Sequence, residues 1–514
     1  MPSCAVEAAI DPFAASHSVF DALALELGAE EAARLGHAEL EDLLELRGRD
    51  LLRQLLQDHL DLRQVREERA VRARPAPVTG ADGVTRRAVE TGHRRLLASI
   101  FGTVVVGRCA WRAQGQRNVY PADAALRLPR LRHSHGLRRL AALEAVRGSF
   151  DQATEAIGRR CGQVVGKRGV EQLTVAAAAD IDTFYQAVAP EPCSDATVLV
   201  LSVDGKGVVM RPEALREATR QAAEVKGPGP YRTRLASGEK PARKRMATLG
   251  VVYDAEPAPR RPHDVITVPA ATAEGPSGQH GCRVGPKAQA KWLTGSVTQP
   301  SEQVIEAVFD QATHRDPSHR RTWVVLVDGA RHQLELIRAE AARRGVAVHI
   351  LVDLIHVMEY LWKAAWCFYA DGDPHTEAWV ATHAISILSG HLAQAVAAID
   401  QQAVHAGLSG NQRRGVDVCI GYLQAKQEFL GYDTALARGW PIATGVIEGA
   451  CRHLIGDRLD ISGARWGLAG AEAVLKLRAL KTNDDFDRYW RFHLARENQR
   501  VHSPYNQDTY DLAA

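Results

Sequence analysis

Two short apolar runs in this chain each stop at an aspartate followed by a glycine: residues 197–203 run into Asp204 and Gly205, and residues 322–327 run into Asp328 and Gly329. Runs of this length and Val/Leu content predict strands, so both carboxylates are expected at strand ends. A third acid, Glu448, has a different setting, because Val446, Ile447, Ala450, Leu454 and Ile455 around it can line one helical face. Two strand-end aspartates facing a helical glutamate make a nest for divalent cations, which take carboxylate oxygens as ligands.

The 514 residues are too many for one core and predict several domains. With 46% hydrophobic and 24% charged residues the composition is that of an ordinary globular protein, which excludes disorder of the whole chain. Net charge is only +3, so contact with nucleic acid has to come from local patches. The eight cysteines include no Cys-x-x-Cys pair, which argues against a disulfide framework and a zinc knuckle. No apolar run reaches the ~18 residues of a membrane span, and the start lacks a secretory pattern. A reducing cytoplasm is the expected compartment.

Leucines at 40, 43, 44, 51, 52, 55, 56 and 60 among many charges predict an amphipathic helix over residues 39–74 that packs on the body of the protein. Residues 75–83, with two prolines and two glycines, read as a linker. Two β-prone runs over 94–111, split at Phe101 and Gly102, predict a hairpin. Arg127, Arg130, Arg132, Arg138 and Arg139 follow without an intervening acid, as a strip able to track phosphates. Residues 149–173 then give two short helices around a glycine-containing break. That spacing suits a helix-turn-helix with Arg159, Arg160, Lys167 and Arg168 facing DNA.

Beyond Asp204, residues 205–246 carry eleven Lys or Arg and four Glu around Gly227 and Pro228, and read as a mobile basic excursion closed by Arg243, Lys244 and Arg245. Strands are expected over 247–253 and near 263–268, then helix 301–314, the Asp328 strand, helix 333–344 and strand 346–352. From 354 to 438 only helical periodicity appears, which predicts a helical insertion ahead of the helix carrying Glu448. Asp353 is a favoured N-cap for the next helix, with His356 on its first turn.

Several stretches together resemble a DDE transposase of a bacterial insertion sequence, of the Kra group: 202–207 around Asp204, 327–330 around Asp328, Asp353 with His356, 445–449 around Glu448, and 464–467 with Arg465 and Trp466. They span roughly residues 90 to 490 in the expected order. The resemblance implies an α/β, multidomain protein with a ribonuclease H-like mixed sheet flanked by helices, an all-helical insertion and an N-terminal, mainly helical DNA-binding region. The three antiparallel strands followed by a strand-helix-strand crossover, expected from the residues, suit that sheet. The corresponding layout is a helical region over 1–75, a hairpin and helix-turn-helix over 85–185, a core over 195–353, the insertion over 354–440, the third acid and C-terminal helices over 441–495, and a tail over 496–514.

The implied activity is cleavage at terminal inverted repeats and joining of the freed 3′-ends to target DNA. Asp204, Asp328 and Glu448 are the expected catalytic and metal-binding residues for two Mg2+ ions, which Mn2+ can replace. Asp353, His356 and Arg452 are expected to assist, with Arg452 able to pair with Glu448 from four residues on or to hold a phosphate. Arg458 and Arg465 are expected to extend phosphate contacts, and Trp466 either to stack on an unpaired base or to pack in the core. The expected partners are double-stranded transposon ends and target DNA, and a homodimer or larger homo-oligomer bringing two ends together. A DNA-binding repressor or end-bridging protein without catalysis is the competing reading. It would need the helix-turn-helix but not the acids.

Overall fold

The computed structural model describes residues 11–502 apart from 74–75, 81, 189, 191–193, 227–243, 268–281 and 462. The chain forms two compact units, one from Met1–Phe184 with Phe486–Ala514 and one from Tyr185–Asp485. No helix among the described residues is long and apolar enough to cross a membrane.

The first unit begins with α1 (Ala14–Gly28) and the long α2 (His37–Ala73). Buried Asp58 of α2 ties the two together by accepting from the Ser16 amide at 2.9 Å and its hydroxyl at 2.6 Å. The inner face of α2 packs Leu56 and Leu60 on Leu97, Val104 and Val106 of the hairpin, as the amphipathic pattern predicts. Residues 75–83 are not a bare linker, because β1 (Val78–Thr79) pairs with β2 (Thr85–Arg86). The hairpin itself is β3 (Ala88–Ser99) and β4 (Gly102–Arg112), with Ser99 opposite Gly102 across the turn.

After α3 (Pro121–Ala125) come α4 (His135–Arg147), α5 (Phe150–Cys161) and α6 (Lys167–Ala177). Ser149 and Gln152 form a reciprocal capping box that starts α5, and Gly162, at φ 76°, ends it. The three helices share a core of Leu137, Ala141, Ala145, Ile157, Val170 and Leu173. The expected strip of arginines is divided. Arg127, Arg130 and Arg132 are exposed, whereas Arg138 is buried against Glu497 and Arg139 pairs with Asp487. Helix α7 (Ile181–Ala187) crosses into the second unit.

The second unit is built on a five-stranded mixed sheet. Its strands are β5 (Val198–Val209), β6 (Lys244–Ala255), β7 (Ala288–Ser296), β8 (Trp323–Val327) and β9 (Val348–Val352), in the order β7-β6-β5-β8-β9. β5, β6 and β7 are antiparallel neighbours, while β8 and β9 run parallel to β5. Two expectations are corrected here. Residues 205–209 and 244–246 do not belong to a mobile excursion, because they extend the β5–β6 ladder, and α8 (Glu217–Lys226) follows β5. Residues 263–267 are not the third strand either, and Val268 lies outside the described residues. Short helix α9 (Pro262–Val265) occupies the start of that stretch, and β7 lies further on, its alternating apolar residues too few to stand out in the sequence.

Helices α10 (Ser301–Arg315) and α11 (Arg331–Arg344) flank β8 in the chain. The insertion contains α12 (Leu354–Ala365), α13 (Pro374–Leu388), α14 (Leu392–His405), α15 (Arg414–Lys426) and α16 (Tyr432–Ala437), with no strand among its described residues. Helix α17 (Gly445–Ala450) continues as a π-helical turn, Cys451–Gly456, and α18 (Leu468–Thr482) follows. A side chain at Gly250 would strike Val308 of α10, so that glycine lets the helix sit close on the sheet, and one at Gly295 would strike Leu249 of the neighbouring strand. The last helix, α19 (Phe486–His502), belongs to the first unit, so the expected boundary at 495/496 falls inside a helix.

Candidate active site

Three parallel strands deliver three aspartates to the same level of the sheet. Ser202 of β5 lies beside Leu326 of β8, and Val327 of β8 beside Val352 of β9. Carrying these registers forward by one or two residues sets Asp204 beside Asp328 and Asp328 beside Asp353. Asp204 is not at the end of its own strand as expected. It is paired with Leu249 in the middle of a long β5–β6 ladder, but it stands where its other neighbour, β8, has ended.

Each carboxylate is held by a different device. Asp204 Oδ1 accepts from the Gly205 amide at 2.6 Å, and Oδ2 lies 3.2 Å from Cys451 Sγ. Burial, reinforced by the Asp204 carboxylate, pushes the Cys451 thiol well above its ordinary pKa and keeps it a protonated donor. Asp328 Oδ1 accepts from the Ala330 amide at 2.8 Å, and the Tyr422 hydroxyl reaches the Asp328 carbonyl at 3.4 Å. The turn needs Gly329, whose φ is 89° and whose surroundings include Val352 at 3.2 Å from an added Cβ.

Asp353 is fully buried and caps α12, its Oδ1 accepting from the Ile355 amide at 3.0 Å. Its Oδ2 accepts from the Thr444 hydroxyl, which also lies 3.3 Å from Glu448 Oε1. The chain leading into α17 runs along the end of β9, with the Leu354 amide donating to the Ile442 carbonyl at 3.0 Å. That contact is why Glu448 meets Asp353 first. Ligand atoms of Asp353, His356 and Glu448 all lie within 4.8 Å of one another, the one such three-residue group among the described residues. The expected trio of Asp204, Asp328 and Glu448 is therefore not the tightest set: Asp353 and His356 complete it from the helix side, and Asp204 and Asp328 stand on the adjoining strands.

None of these four carboxylates has a Lys or Arg within ion-pair distance among the described residues. The opposite end of the sheet differs: buried Asp254 is met by Arg315 at 2.7 Å and by Arg321. Uncompensated carboxylates gathered at one point repel one another unless a cation joins them. Their hard oxygens, with a nitrogen from His356, are a donor set that suits divalent ions of the Mg2+/Mn2+ kind.

Other expected site residues fare differently. Arg452 is exposed and makes no ion pair with Glu448, because the helix widens to π geometry at Cys451 and the four-residue stacking is lost. Arg159, Arg160, Lys167 and Arg168 are all exposed, although Arg159 pairs with Glu155 at 3.0 Å and Lys167 with Asp151 at 2.6 Å. Arg243 lies outside the described residues. Lys244 is engaged by Asp460 at 2.8 Å, and Arg245 donates to the Val297 carbonyl at 2.8 Å.

Arg465 is exposed, but Trp466 is 5% exposed, its indole N–H donating to the Leu459 carbonyl at 3.0 Å. The packing alternative thus describes Trp466, and base stacking does not. Arg458 lies against its ring, 4.6 Å from the centroid, and burial lowers that guanidinium's pKa to about 10. Thr444, Cys451 and Tyr422 escaped the sequence reasoning. The first two sit within four residues of Glu448, a usable signal, whereas Tyr422 lies in the helical insertion with nothing local to mark it.

No protein-family model matches the chain, and no curated protein matches it.

Proposed function

We propose that this chain is a DDE-type transposase that binds the ends of a DNA element through α4–α6 and cleaves and joins phosphodiesters at the sheet-end carboxylates. The observation that carries this reading is the gathering of Asp204, Asp328, Asp353 and Glu448 with no Lys or Arg within ion-pair distance among the described residues. The strand order β7-β6-β5-β8-β9, with the first strand central, supports a ribonuclease H-like core.

Asp204, Asp328 and Glu448 would hold two divalent metal ions, with Asp353 and His356 beside them. When bound, such ions lower the pKa of an attacking oxygen and stabilise the leaving one. The protein's own part is positional. Thr444 locks Asp353 to Glu448, Cys451 orients Asp204, and the Gly329 turn aims Asp328. In the first unit, α5 and α6 with their exposed cations are the surface for duplex DNA, and two copies of the chain would bring two ends together.

The test is a Mg2+-dependent cleavage and strand-transfer assay on duplexes carrying the boundaries of the element. Wild type should form joined products. Asp204→Asn, Asp328→Asn and Glu448→Gln should each lose about 10³-fold or more while still binding the duplex. Cleavage that survives all three substitutions would overturn the active-site assignment. End binding without cleavage by wild type would leave a repressor.

A further inference from the structure

The first unit holds a cavity of about 400 Å³ between the segment entering α4 and the start of α6. Arg132 and Arg168 stand at it, His133 lines it, and Val165 and Leu173 give it apolar walls. Both arginines are exposed, and among the described residues neither has a carboxylate partner. Of the neighbouring cations, Arg159 and Lys167 have acid partners on the surface, Arg138 and Arg139 are engaged by α19, and Arg127, Arg130 and Arg160, though exposed, do not line the cavity. Two arginines lining one hollow, neither paired with a carboxylate among the described residues, make it a site for an anion.

The remaining walls agree. His133 contributes the body of its ring as wall, both ring nitrogens being turned out of contact with solvent. Gly166 and Gly169 also line the cavity, and Gly166 starts α6 with no side-chain cap. The positive end of the helix adds to the field of the two arginines. The apolar walls suit a sugar better than a hydrated ion, and the volume exceeds what a phosphate alone would fill.

We propose that this cavity seats one backbone phosphate of duplex DNA with its deoxyribose, clamped between Arg132 and Arg168 at the start of α6, and so sets the register of α6 on the DNA. The proposal rests on the DNA-binding reading above and refines it. Arg168 becomes a backbone clamp rather than a base reader, and Arg132, far from α6 in sequence, becomes its partner. Contacts of this kind position a recognition helix without carrying sequence information.

The experiment uses the full-length protein and fluorescence anisotropy on two duplexes, one spanning an element boundary and one of unrelated sequence, across a salt series. Arg132→Gln/Arg168→Gln should weaken binding to both duplexes by about the same factor, roughly tenfold or more. It should also lower the slope of log K against log salt by about 0.9. Arg47→Gln, on α2 outside this surface and paired with Glu26 at 3.0 Å, should stay within about twofold. A scan of single methylphosphonate linkages should find one position that weakens wild type and leaves the double variant unchanged. If the double variant binds like wild type with the same slope, the clamp is overturned while end binding stands. If wild type binds neither duplex, the DNA-binding reading falls and the clamp with it. Inorganic phosphate that binds the cavity without competing with DNA would also overturn the proposal, leaving a site for a free anion.

Discussion

The two ends of the central sheet treat acidic side chains in opposite ways. Near the start of β5, about 17 Å along the strand from Asp204, Asp254 is enclosed by Arg315 and Arg321, and Arg321 also donates to the Thr197 carbonyl at 3.1 Å and its hydroxyl at 2.6 Å. Every charge there has an opposite within reach. At the other end Asp204, Asp328, Asp353 and Glu448 are supported by hydroxyls, amides and a thiol, all neutral donors. Neutral donors orient a carboxylate without cancelling its charge. One end is built as structure, and the other keeps its charge available.

That contrast breaks first, and most visibly, in function. The three acid substitutions described above should remove about 10³-fold of activity yet leave unfolding by urea unchanged or slightly more favourable to the folded state, because each removes a like-charge repulsion. A large loss of stability with the loss of activity would mean the acids are structural after all. Next in size is Arg321→Ala. It leaves Asp254 short of a buried partner and should cost about 3–5 kcal/mol in urea denaturation, with the acid site intact in whatever folded protein remains. A cost near zero would erase the difference between the two ends.

Asp353→Ala sharpens the comparison, since this residue belongs to both worlds. It caps α12 and also faces Glu448, so about 2–3 kcal/mol of stability should go with it, alongside reduced cleavage. Asp353→Asn keeps one acceptor oxygen for the Ile355 amide while its amide nitrogen can donate to Thr444, and should recover most of the stability but little of the activity. Gly329→Ala should cost about 1–2 kcal/mol, from the left-handed backbone and the tight approach to Val352. Mg2+ titration of cleavage should show weaker apparent metal affinity in that variant.

The smallest effect is pH-dependent and confined to the paired end. Burial pushes the Asp316 carboxyl up, but the Trp323 indole N–H and the amides of Arg321 and Arg320 hold it below its ordinary value. A carboxylate depressed in the folded state adds stability above its unfolded pKa of about 3.8 and loses it as pH falls through the folded value. Stability should therefore decline below about pH 4, and Asp316→Asn should flatten that decline. An unaltered profile would remove Asp316 from the account.

By itself the sequence determined the elements and the kinds of residue at the site. The apolar runs before Asp204 and Asp328 are strands, the Asp353 cap starts α12, the 354–438 stretch is helical, and the α5–α6 pair with its exposed cations forms as the glycine break predicts. These are local properties, set by periodicity, capping and turn chemistry over a few neighbouring residues. What only the tertiary structure decided is pairing at a distance. It alone put Glu448 against Asp353 through Thr444, brought Cys451 to Asp204, turned Trp466 and Arg458 inward, tied Lys244 to Asp460, and set Arg132 and Arg168 at one cavity. No periodicity encodes which charge meets which, because that depends on strand order, register and helix packing, where the partners lie tens to hundreds of residues apart.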